Sequence, residues 1–146
     1  SSKEASRIMK EEKNNQQVFE MFDHVTISVS GIGSFYPTEE SVLASPDFMS
    51  TEDLEMLKQE NVSGDIALRF FDHDGQECNT TLKERMISIS MEQFKKIDRK
   101  ISLVSGVSKA NAVLSALKGG LVDVLILDSN LAEALLKLSE DMSSQE

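Results

Sequence analysis

The sequence has no tryptophan, a single cysteine, two prolines, two histidines and one tyrosine in 146 residues. Each shortage excludes something. Cys78 has no second cysteine in the chain to form a disulfide with, and one cysteine with two histidines falls short of a structural zinc site. A reducing, cytoplasmic setting is expected. No apolar run reaches the roughly 18 residues of a membrane-spanning helix, and Ser1-Ser2-Lys3-Glu4 lacks the apolar core of a signal peptide. No membrane partner is expected. Cationic charge is also scarce: 15 Lys and Arg stand against 25 Asp and Glu, a formal charge of −10. Such a chain repels nucleic-acid phosphates, so any contact with DNA must be made by another part of the protein. Walker loops, a full GxGxxG, HExxH and GxSxG are missing as well, which removes the commonest motif-borne activities.

What remains is ordinary globular composition, 40% hydrophobic, enough for one sizeable core. Residues 1–24 read as a leading helical segment, amphipathic through Ile8, Met9, Val18, Phe19, Met21 and Phe22, with a break near Asn14-Asn15. Alternating, β-branched Val25-Thr26-Ile27-Ser28-Val29-Ser30 predicts a strand ending in the turn Gly31-Ile32-Gly33. A loop over 36–46 precedes a capped helix over 54–60, and a strand over 66–71 leads to the turn Asp72-His73-Asp74-Gly75, with room for a hairpin. Strands are then expected at 86–90, 101–105 and 122–127, each followed by a helix, at 91–96, 108–117 and 129–138. The tail, 139–146, reads as polar and frayed. Strands alternating with helices pair in parallel through right-handed crossovers, so the fold class is α/β with a Rossmann-like parallel sheet.

Ligands of open α/β sheets bind beyond the carboxyl ends of the strands, which directs attention to the residues that follow each strand. Gly31 and Gly33 would let backbone amides approach a sugar or phosphate, or they form only a tight turn. Lys109 stands in the first turn of a helix, where it opposes the macrodipole; a bound anion would relieve that, and a solvated surface lysine is the plain alternative. Asp128 could hydrogen-bond the hydroxyls of a polyol, although Asp128, Ser129 and Asn130 also serve as helix caps. Asp65 after Gly64 is either a hydroxyl ligand or a turn residue. No catalytic or metal-binding set emerges: His24 and His73 lie in no catalytic pattern, Cys78 lacks a histidine partner signature, and Asp65 is the only general-base candidate.

Taken in order, Val29-Ser30-Gly31-Ile32-Gly33-Ser34, Glu52-Asp53-Leu54, Gly64-Asp65-Ile66, Arg69-Phe70-Phe71-Asp72, Gly106 through Lys109, Ala116-Leu117-Lys118-Gly119-Gly120 and Val124-Leu125-Ile126-Leu127-Asp128 resemble the sugar-binding domain of SorC/DeoR-type bacterial transcription regulators. The resemblance runs from Val25 to Leu138 and corresponds to the C-terminal portion of that domain. It implies a fold similar to sugar-phosphate isomerases, glucosamine-phosphate deaminases and CoA-transferase-like proteins, used for sensing and not for catalysis. On that likeness the ligand is an allosteric effector, a sugar phosphate, with no cofactor. Its contacts would be the Gly31/Gly33 turn, Asp65 and Lys109, with Lys109 on the phosphate. The resemblance also implies a homo-oligomer, and operator DNA held only by an N-terminal helix-turn-helix domain outside these residues. Three positions depart from the family habit, Lys83 for asparagine, Val107 for a second glycine and Leu127 for threonine. The alternatives left open are an isomerase- or deaminase-like enzyme fragment and an oligomerisation module without a ligand.

Overall fold

The computed structural model describes residues 2–143. Two short helices, α1 (Lys3–Glu11) and α2 (Lys13–Met21), open the chain. They part at Glu12, whose ψ of 130° is extended, and not at Asn14-Asn15. Asn15 explains the early break: its side-chain amide donates to the Met9 carbonyl (2.7 Å), satisfying one of the acceptors that the end of α1 leaves over.

A parallel sheet follows the predicted rhythm. Strands β1 (Ile27–Ser30), β5 (Arg99–Val104) and β6 (Val124–Leu127) lie in the order β1-β5-β6, in register Val29↔Ile101 and Leu103↔Ile126. Helices α6 (Ala110–Lys118) and α7 (Ser129–Ser143) come after β5 and β6. Helix α6 lies in the crossover from β5 to β6, and α7 packs beside it on the same face of the sheet. There Val104, Leu125 and Leu127 pack with Ala112, Val113, Ala116, Leu131 and Leu135 in the larger core. The opposite face carries Ile27, Val29, Leu103 and Ile126, each at least half exposed. No described residue covers it.

Between β1 and β5 the chain builds a small antiparallel sheet, β2 (Gly33–Ser34), β3 (Gly64–Ile66) and β4 (Arg69–Phe71), in the order β2-β3-β4. Helix α3 (Thr51–Gln59) starts on a Ser50/Asp53 capping box, as the sequence predicts, and packs Leu57 into a second core with Phe35, Met49, Val62, Phe70 and Leu82.

Three expectations need correction. The strand predicted over 66–71 is a hairpin: Ala67 and Leu68 (φ +51° and +62°) form its turn in the left-handed region, which side chains disfavour by about 1–2 kcal/mol per residue. Residues 86–90 form no strand, because the carbonyls of Ser88 and Ile89 accept from the Arg69 guanidinium (3.0 and 2.7 Å) instead of from a ladder; a short helix, α4 (Leu82–Arg85), precedes them and α5 (Met91–Lys95) follows. The tail is helical where described, since α7 continues past Leu138 to Ser143; residues 144–146 lie outside the described residues.

Candidate functional site

A cleft of about 460 Å³ opens beyond the carboxyl ends of β1 and β5. Its lining includes Gly31, Gly33, Asp65 and Lys109, four of the five residues singled out from the sequence. Topology gathers them. The β1 strand delivers Gly31 and hands the chain to β2; Gly33 pairs with Asp65 across the β2-β3 ladder; Lys109 stands at the entry to α6, just after β5.

Asp65 is the buried acid of this cleft. Its Oδ1 accepts from Ser41 Oγ at 2.5 Å. Burial raises its pKa above the usual carboxylate range, against the opposing pull of the Ser41 hydrogen bond and of Lys109. A carboxyl raised in the folded state adds stability below its unfolded pKa and loses that contribution as pH climbs through the folded value. The charged form of Asp65 therefore weighs against folding. Asp65→Asn, which keeps an acceptor for Ser41, should raise the thermal midpoint where Asp65 is charged and flatten its pH dependence. Thermal melts of the two proteins from pH 4 to 8 check it.

Gly33 has a steric reason to be glycine. A Cβ there would sit 2.6 Å from Ser41 Oγ and closer still to Asp65 Oδ1. Gly31 has none of that kind, since its nearest neighbour would be the Leu103 carbonyl at 3.9 Å.

Asp128 lies outside the lining. It braces the turn after β5 to the start of α7, with Oδ1 accepting from Leu131 N–H (2.9 Å) and Oδ2 from Gly106 N–H (2.8 Å). Those bonds, led by the one from Leu131, hold its carboxyl below the usual range. This is the capping role that its neighbours in sequence also suggest.

Sequence reasoning missed Ser41 and Glu40. Both sit on the loop after β2, far in sequence from Asp65 and Lys109. Their backbone N–H groups both donate to the Ser34 carbonyl at 2.9 Å, which folds the loop over the cleft. Glu40 then accepts a short hydrogen bond from Ser108 Oγ. Ala67 and Leu68 complete the rim, so the left-handed turn of the hairpin stands at the site.

Elsewhere the chemistry is quiet. Burial, reinforced by Asp72 and Glu60, pushes the Cys78 thiol up to about 12, away from nucleophilic use. Among the described residues no group of three or more His, Cys, Asp or Glu could hold a metal, and no helix is long and apolar enough to cross a membrane.

An α/β sheet with a largely apolar cleft beyond its strand ends, into which a few polar side chains converge, defines a small-molecule-binding module. The chain belongs to the Sugar-bind family, described as "Putative sugar-binding domain", which it matches over residues 1–137. It is 27% identical to the deoxyribonucleoside regulator of Bacillus subtilis (strain 168) over 91% of this chain and 42% of that protein. With the sorbitol operon regulator of Klebsiella pneumoniae it shares 30% identity over 80% of this chain and 36% of the relative. Among solved structures, a DeoR family transcriptional regulator from Listeria monocytogenes superposes with a TM-score of 0.84 at 30% identity, over 92% of this chain and 53% of that one. The chain thus spans less than half the length of these two curated relatives and about half of that solved chain.

Proposed function

We propose that this chain is the effector-binding part of a transcription regulator, that it senses a phosphorylated sugar, and that it is not itself an enzyme. One observation carries the reading: Asp65, Lys109 and the Gly31/Gly33 turn, distant in sequence, line a single cleft at the ends of the parallel strands. In it Asp65 and Ser41 take sugar hydroxyls, a carboxylate and a hydroxyl already oriented by their mutual hydrogen bond. Lys109 takes the phosphate, at the helix start where an anion offsets its unfavourable dipole position. Two relatives are named as regulators, one for deoxyribonucleosides and one for a sorbitol operon, which supports a sugar-derived effector.

The charge of −10 supports leaving operator contact to a separate DNA-binding domain of the full-length protein. Sensing then requires the effector to favour one state of a homo-oligomer over another, and a coupling of about 1–3 kcal/mol is enough. The setting is the cytoplasm, where operator and phosphorylated sugars are both found.

Thermal melts of the full-length gene product against a panel of free and phosphorylated sugars test this. A true effector at about one hundred times its Kd adds about 2.7 kcal/mol, a shift of several degrees. Lys109→Ala should abolish the shift for the phosphorylated compound. A panel that moves neither protein would sink the reading.

A further inference from the structure

The cleft holds more negative charge than a phosphate receptor needs. Two carboxylates, Asp65 and Glu40, line it beside one cation, Lys109. Asp65 is buried and bonded to Ser41, where it suits a hydroxyl-rich ligand. Glu40 is exposed, and the acidic loop on which it sits is long enough to have placed it in open solvent. Instead the loop fixes its carboxylate at the rim of the cleft. Its N–H is tied to the carbonyls of Ser34 (2.9 Å) and Thr38 (3.0 Å), the Thr38 hydroxyl donates to Oε1 (3.2 Å), and Oε2 accepts from Ser108 Oγ.

Ser108 is the residue just before Lys109, in the 3-10 turn Val107–Lys109 that leads into α6. Glu40 therefore puts an anion of the protein's own where an anionic substituent on a ligand would meet the Ser108 hydroxyl, the Lys109 ammonium and the helix start. A carboxylate and a phosphate cannot share that hydroxyl, and like charges at such range repel.

We propose that Glu40 is a specificity-determining residue of the cleft, an internal anion that a phosphorylated ligand must displace and that a neutral sugar leaves in place. This rests on the effector-site reading above and adds how that site ranks its ligands. A sugar phosphate binds only when its contacts to Lys109 and Asp65 outweigh loss of the Glu40–Ser108 bond; free inorganic phosphate, which lacks the hydroxyls for Asp65, is turned away. Displacing Glu40 also frees the loop after β2 from the turn after β5, because that bond spans the two.

The test measures affinities for the full-length protein and its Glu40→Gln variant by calorimetry, with ribose 5-phosphate, glucose 6-phosphate, inorganic phosphate, ribose and glucose as probes. Glutamine keeps the size of the side chain and an acceptor for Ser108 while removing the charge. Phosphorylated probes and inorganic phosphate should bind about tenfold tighter to Glu40→Gln, with ribose and glucose unchanged, and the gain should shrink in about 1 M salt, where screening is strong. A merely structural role for Glu40 would shift charged and neutral probes together, which would overturn the proposal. So would weaker binding of the phosphorylated probes, the mark of a direct hydroxyl ligand. If wild type binds no probe and Lys109→Ala changes nothing, the effector-site reading itself fails; a wild type that binds while Glu40→Gln shows no charge-selective gain defeats only the role of Glu40.

Discussion

Gly75→Ala should cost about 2–4 kcal/mol of stability and lower the thermal midpoint by about 5–15 °C, with the fold otherwise retained. Two independent penalties add. Gly75 holds φ +70°, where a side chain is strained by about 1 kcal/mol or more. Its Cβ would also drive into the end of α6, 2.5 Å from Gly119 Cα and 2.6 Å from Gly119 N, atoms of backbone that cannot rotate aside. The turn after β4 and the last turn of α6 are thus in glycine-to-glycine contact, which locks the antiparallel sheet to the main core. Gly120→Ala separates the two penalties: Gly120 also has positive φ (+67°), but nothing lies within 4 Å of its added Cβ. It should lose only about 1 kcal/mol. Equal losses at both positions, read from urea unfolding, would show that the close approach contributes nothing.

Gly33→Ala should reduce affinity for an effector by about a hundredfold or more and cost about 1–3 kcal/mol of stability. The new methyl group occupies space now held by the Asp65 carboxylate and the Ser41 hydroxyl, so their 2.5 Å hydrogen bond cannot survive in place. Gly31→Ala is the matched comparison. Only the Leu103 carbonyl comes within 4 Å of its Cβ, an ordinary contact, so stability should change by less than about 0.5 kcal/mol. Calorimetry together with melts on the two variants decides whether Asp65 belongs to the binding site. Wild-type affinity in a folded Gly33→Ala protein would remove it.

The parallel sheet was readable because its signals are local. Alternation in Val25 through Ser30 and short apolar runs before each helix come from neighbours in sequence, and β1, β5 and β6 lie within the predicted limits or within two residues of them. The hairpin inside 66–71 was hidden because alanine and leucine occupy turn positions that glycine or asparagine normally fill; only tertiary packing sustains them there. Ile87 and Ile89 alternate with Ser88 and Ser90 as a strand would, yet Arg69 from another element takes the carbonyls that pairing would need. No pattern within 86–90 foretells that. The site divides along the same line. Positions next to strand ends, Gly31, Gly33 and Lys109, are legible from the rule that ligands sit there. Ser41 and Glu40 are not, since a loop residue acquires its role only when the loop closes over β3 and the turn after β5. Asp128 stood in the expected place after its strand, yet its two oxygens are turned to backbone amides and not to the cleft.

The bare face of the parallel sheet bears on how these 146 residues behave in solution. Ile27, Val29, Leu103 and Ile126 present a contiguous oily plate, and plates of this kind stack on one another. Ten net negative charges push copies apart before the plates can meet. Colloidal stability is then a contest between adhesion, which added electrolyte leaves intact, and repulsion, which it screens. A preparation that stays clear in dilute buffer should therefore turn cloudy as salt rises or as pH approaches 4.7, the isoelectric point.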